Sequence, residues 1–265
     1  MSKLSEEEEI RLQELLDGYI DRLEKTEVQL KQGKVAESKI PISLYSIAKT
    51  YQNIGIVKIH SEEYNDAMNL FSLSGKYYVN SAKEAQQAEG DLNTFQRIPL
   101  TFLEGLYAGL VSGNLDDCQI IAHDILELPP AQSPPHEFIE DHVEYHTDKY
   151  FLSRCIAGAV IDQIQQEDFG KLNEINKGKP KIHAKYGQGV LNFCRGVHNS
   201  DPILIEQGIQ SIIEYHRDRH DNENIITQIM CLEATALYIL ALYRGYDHTI
   251  DSCFIPDEFV ESAVL

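Results

Sequence analysis

The chain has 265 residues, 43% of them hydrophobic and 25% charged, which suffices for a sizeable core of ordinary globular composition. Its 42 Asp and Glu against 23 Lys and Arg give a formal net charge of −19. That balance speaks against nucleic acid or an anionic membrane surface as a direct ligand, since both need clustered Lys and Arg. It favours basic partners, and it also suits solubility or high salt; the sequence leaves these readings open.

The first element is a helix over 5–33. Ser5 and Glu8 make the pattern of a capping box, and Glu6 to Glu9 sit where the positive end of the helix dipole favours them. Ile10, Leu12, Leu15, Leu16, Tyr19, Ile20 and Leu23 are read as its core face, and Gly33 as its stop. A second helix is predicted from near Pro41, with Leu44, Ile47, Ala48, Tyr51 and Ile54 inward. A break at His60–Glu63 leads into a third. "IPLTFLEGLYAGLVSG" and "LDDCQIIAHDILEL" then form a pair around Gly113. Four prolines make 128–137 a surface loop within a single all-helical domain. Further helices are expected over about 138–166, 168–177, 183–198, 202–219 and 223–244. No segment alternates with period two between turns, so the fold class is all-α.

Tyr51, Ile54, Gly55, Tyr64, Ala67, Phe71 and Ser74 fall near tetratricopeptide spacing, and Gly113, Leu115, Cys118 and Ala122 match it in part. The joints are unequally spaced. The expectation is therefore an irregular array of antiparallel helical hairpins, each burying its apolar face on its neighbours.

The five cysteines, Cys118, Cys155, Cys194, Cys231 and Cys253, lie far apart with no CxxC, and are read as reduced core thiols of a cytoplasmic protein. "MSKLSEEEEI" is acidic and lacks the apolar stretch of a secretory signal. The run 225–243 is the most apolar, and Gln228 and Glu233 within it point to a buried helix rather than a membrane span.

Few residues suggest chemistry. His142 and His146 share one helix face with Glu137, Glu140, Asp141 and Glu144 around them, residue types that suit a carboxylate–histidine metal site. The spacing is not HExxH, and acids in a first turn also answer the helix dipole. His216 and His220 in "HRDRH" repeat the spacing near a predicted helix end, where they suit capping. No GxSxG, P-loop or GxGxxG is present. No catalytic, cofactor-binding or metal-binding residue is therefore assigned, and a metal-dependent enzyme on the 136–146 cluster is the least favoured reading. For a protein partner the candidates are Glu137, Glu140, Asp141, Glu144 and Tyr145, beside the proline loop.

The last fifth of the chain reads as structure. Cys231 to Tyr243 is expected to be the central helix, with Ala234, Ala236 and Ala241 allowing close neighbours. Arg244 suits its negative end, Gly245 its left-handed cap, and Phe254-Ile255 is expected to dock back on the core with Pro256 fixing the exit. Over about 188–260, Cys231-Leu232, Ala234, Ala236, Leu237, Ala241, Arg244-Gly245, Asp251 and Phe254-Ile255-Pro256 resemble the C-terminal pattern of the immunity protein 49 family. The upstream "IEQGIQSIIEYHRDRHD" is similar to that family's penultimate helix. The resemblance implies an all-helical cytoplasmic protein that binds and silences a cognate toxin without chemistry of its own. The acidity then implies a basic toxin domain as partner. The alternative is a tetratricopeptide-like adaptor for other proteins.

Overall fold

The structure, a computed structural model, describes residues 4–87, 92–129, 140–219 and 224–264, and within them the side chains outside 92–97 and 140–147. These residues form α1 (Glu6–Lys31), α2 (Ile40–His60), α3 (Tyr64–Gln87), α4 (Leu92–Val111), α5 (Leu115–Leu126), α6 (Glu140–Val160), α7 (Gln166–Gly178), α8 (Lys181–Asn199), α9 (Pro202–Arg219), α10 (Ile225–Ile229), α11 (Leu232–Tyr243) and α12 (Asp257–Val264). A single 3-10 turn over Glu37–Lys39 precedes α2, and no strand occurs among the described residues. The fold is all-α.

The helix ends that local chemistry dictates are present. Ser5 Oγ accepts from the Glu8 N–H at 3.3 Å, and Glu8 accepts from the Ser5 N–H at 2.8 Å, closing the capping box. Gly33 follows the end of α1 with φ of 63°. The core face of α1 is narrower than its sequence suggests. Leu12 is buried, but Ile10 is 59% and Ile20 42% exposed, because α1 lies at the edge of the bundle and meets it along one side only. It is pinned there by Glu27, which accepts hydrogen bonds from Tyr51 at 2.7 Å and Tyr77 at 3.2 Å. Burial alone would raise the Glu27 pKa; hydrogen bonds from Tyr51, Lys31 and Tyr77 outweigh it and lower it.

Pairings between neighbouring helices run in opposite directions. Ser74 donates to the Ala48 carbonyl and Ser81 to the Pro41 carbonyl, partner numbers falling as α3 advances, so α2 and α3 form an antiparallel hairpin; the long Tyr78 side chain reaches back to Gln52. A Cβ at Gly55 would lie 3.3 Å from the Phe71 ring, the large-against-small crossing that the sequence indicated. Helices α8 and α9 pair likewise and approach more closely. A Cβ at Gly208 would lie 2.5 Å from the Phe193 nitrogen and 2.7 Å from the Gly189 carbonyl oxygen. Neither backbone atom can move aside cheaply. Gly208→Ala should therefore lower stability by about 1–3 kcal/mol, read as a lower urea midpoint at unchanged slope.

One contiguous cluster of buried side chains runs from Leu12 to Ala263 and centres on α4, α6, α8 and α11. Helix α11 is buried on nearly every side, from Leu232 to Ala241. Residues 225–243 are long and apolar enough, by length and composition, to cross a membrane, yet 78% of that window is buried in the bundle.

The structure departs from the sequence reading most clearly here. The expected helix over 223–244 is two helices. Met230 (φ −153°, ψ 138°) and Cys231 (φ −90°, ψ 99°) are extended, and Cys231 caps α11 instead of lying within it. No Gly or Pro causes the break. The Cys231 N–H donates to the Phe254 carbonyl at 2.9 Å, a partner that a continuous helix would not allow it.

The tail is more regular than expected. Gly245 has φ of 88°, its N–H donates to the Leu242 carbonyl, and the Tyr246 N–H donates to the Ala241 carbonyl. This is the Schellman arrangement that a glycine permits. The Arg244 guanidinium serves a different helix from the one predicted. It donates to the Ala159 and Val160 carbonyls at 3.2 and 2.6 Å, closing the negative end of α6. After buried Phe254, Ile255 and Pro256 comes α12, which the sequence reading did not assign. Its Phe259 packs edge-on against Tyr64, and Tyr243 donates to the Ala263 carbonyl at 2.8 Å.

Candidate functional site

The break between α10 and α11 opens into a cleft of about 340 Å³ whose wall includes Lys49, Glu104, Tyr107, Lys149, Tyr186 and Glu233. Residues of α2, α4, α6, α8, α9, α10 and α11 line it, and Phe254 of the tail supports it through His216 and Cys231.

Helix α9 brings His216. Its Nε2 lies 2.7 Å from the Thr227 carbonyl oxygen, which can only accept, so Nε2 carries the proton and the acceptor of the neutral ring is Nδ1. The imidazole meets the Phe254 ring edge-on, with centroids 5.0 Å apart. Phe254 thus acts twice: its carbonyl holds the extended backbone at Cys231 and its ring supports His216.

The first turn of α11 brings Cys231 and Glu233. The buried Cys231 thiol donates to Glu233 Oε2 at 3.8 Å. One ligand atom each from His216, Cys231 and Glu233 lies within 4.8 Å of the other two. Burial pushes the Cys231 thiol well above its usual pKa and the Glu233 charge pushes it further; the N–H groups of Ala234 and Glu233 oppose this without reversing it. The thiol is held protonated, which is the opposite of what an activated cysteine nucleophile requires.

Below these residues Tyr107 and Tyr186 share a hydrogen bond of 2.9 Å between their hydroxyls. Burial raises both phenol pKa values well above the ordinary range, and the Glu233 charge adds to the effect on each. The Lys149 ammonium lies over the Tyr186 ring, 5.5 Å from its centroid. The cleft therefore brings together hydroxyl groups, a cation, a thiol, an imidazole and a carboxylate.

Comparison with protein-family models, curated proteins and solved structures found no match.

The sequence-derived candidates stand elsewhere. Glu140, Asp141, Glu144 and Tyr145 fall in the first turns of α6, where the backbone but not these side chains is described; the same holds for His142 and His146. Glu137, His220 and residues 130–137 of the proline-rich loop lie outside the described residues. Of the residues assigned to structure, Cys231 lines the cleft and Phe254 packs on its His216, while Ala234 is buried in α11. The grouping of His216 with Cys231 and Glu233 was missed. His216 and Cys231 are fifteen positions apart and meet only because the chain breaks at 230–231. The one local signal is a cysteine two residues before a glutamate at a helix start.

Proposed function

We propose that this chain is an acidic, cytoplasmic, immunity-type binding protein that silences a basic toxin domain by covering it. The observation that carries this reading is the outer face of α1. Steps of three and four residues place Glu6, Ile10, Glu14, Asp17, Asp21, Glu24 and Val28 on one side of the helix, and each is exposed. Ile10 is 59% and Val28 48% exposed, so the face offers apolar anchors within an acidic stripe. Asp21 is paired with Lys25 at 2.6 Å, while Asp17 accepts a hydrogen bond from the neutral Gln13 side chain. A basic protein surface complements this stripe, and the formal net charge of −19 would speed the encounter. The resemblance of 188–260 to the immunity protein 49 family supports the same reading. Interaction through α1 would also suit a tetratricopeptide-like adaptor, which the Gly55–Phe71 crossing favours.

The test is protection in cells. The chain is co-expressed with each toxin-like C-terminal domain that a neighbouring reading frame is found to encode, and growth is followed. The expected result is rescue by the wild type and loss of rescue with Asp17→Lys/Glu24→Lys, at a stability changed by no more than ~0.5 kcal/mol per site. Absence of rescue by the wild type would leave the adaptor reading in its place. Full rescue by the charge-reversed variant would remove α1 as the binding face.

A further inference from the structure

We propose that His216, Cys231 and Glu233 form a binding site for one borderline divalent transition-metal ion, Zn²⁺ above all, with its open coordination position facing the cleft. Immunity-type binding requires no metal, so this inference goes beyond the reading above.

The donor set is the first argument. A thiolate, an imidazole and a carboxylate together suit zinc and its neighbours and are poorly matched to Mg²⁺ or Ca²⁺, which take oxygen. Among the described residues, no other group of three His, Cys, Asp or Glu side chains converges in this way.

Geometry is the second. Zinc bonds of about 2.3 Å to sulfur and 2.0 Å to oxygen put two tetrahedral ligand atoms roughly 3.5 Å apart. Cys231 Sγ and Glu233 Oε2 are already 3.8 Å apart, and a ring nitrogen of His216 lies within 4.8 Å of a ligand atom of each. Small side-chain rotations would close the site.

The outer contacts are the third. Metal-bound histidines characteristically donate their second ring N–H to a carbonyl or carboxylate. The His216 Nε2–H does so to Thr227, at 2.7 Å, with Phe254 fixing the ring from the side. The Cys231 backbone is fixed through Phe254 as well. On binding, the thiol gives its proton to solvent and the sulfur–metal bond forms. Thiolate and carboxylate then balance the cation's two charges, and the N–H groups of the first turn of α11 face the sulfur. Three protein ligands leave a fourth position for water or a small donor from the cleft, the arrangement of an open rather than a purely structural zinc site.

The experiment is a Co²⁺ titration of tag-free, metal-stripped protein, followed in the near-ultraviolet, where cobalt bound to thiolate absorbs. The expected result is one equivalent bound with that absorption, displaced by Zn²⁺. Cys231→Ser should abolish the band. Glu233→Gln and His216→Gln should each weaken binding by more than the ~10–100-fold that loss of an outer contact costs. Cys253→Ser, which removes the exposed thiol, should leave binding unchanged. No thiolate band at stoichiometric Co²⁺, or a band that survives Cys231→Ser, overturns the proposal. If Cys231→Ser fails to fold by circular dichroism, unchanged affinity in folded Glu233→Gln and His216→Gln overturns it equally.

Discussion

Arg154→Met should destabilise the protein by about 3–5 kcal/mol, because it strands a buried carboxylate. Arg154 Nε lies 3.0 Å from both oxygens of Asp168, with the two side chains 10% and 8% exposed. The same guanidinium donates to the Leu126 carbonyl at 2.7 Å and to Gln165 at 3.1 Å. One side chain thus ties the end of α5 and the start of α7 to α6. Removing it leaves Asp168 charged without a counter-ion and the Leu126 carbonyl without its donor. Urea unfolding of the single variant should show the full loss. The double variant Arg154→Met/Asp168→Leu should recover a large part of it, since replacing both members of a buried pair is far cheaper than removing one. A single variant that unfolds within 1 kcal/mol of the wild type would show that water reaches the pair.

Phe254→Ala is expected to cost about 3–5 kcal/mol, the range for deleting a buried aromatic ring. Phe254 is 7% exposed, contacts His216 edge-on, and has the Arg217 guanidinium 6.0 Å from its centroid. The loss should spread beyond the cavity, because the same residue's carbonyl holds Cys231 out of the helix. Amide exchange at Cys231 should accelerate together with exchange at the start of α11. A cost under 1 kcal/mol, with Cys231 exchange unchanged, would mean that the tail is only loosely docked.

These two residues mark what the sequence reveals and what it hides. Features set by neighbours in sequence were readable: the Ser5–Glu8 capping box, the stop at Gly33, the left-handed cap at Gly245 and the Gly55–Phe71 crossing. Apolar periodicity was enough to establish an all-α fold. Features set by distant partners were not readable. The helix break at Met230–Cys231 has no Gly or Pro to announce it and depends on a carbonyl twenty-three residues later. Arg244 was rightly matched to a negative helix end, but that end belongs to α6. Ile10 and Ile20 followed the apolar period of α1 yet face outward, because an edge helix buries a narrower stripe than its sequence offers. Helix α12 escaped notice because eight residues hold too few turns to show a period. The cleft combines these difficulties, since the side chains of His216, Cys231 and Glu233 meet only through the break and the docked tail.

The central claim is that the acidic surface exists to meet a basic protein. It is tested most directly by measuring the association rate with a toxin domain against which the chain protects cells, at ~20 mM and ~150 mM salt, where the screening length falls from roughly 20 Å to about 8 Å. The account predicts a fall in association rate on the order of tenfold, with a clearly shallower dependence for Asp17→Lys/Glu24→Lys. An association rate that is the same at both salt concentrations would contradict it and reduce the charge to solvation.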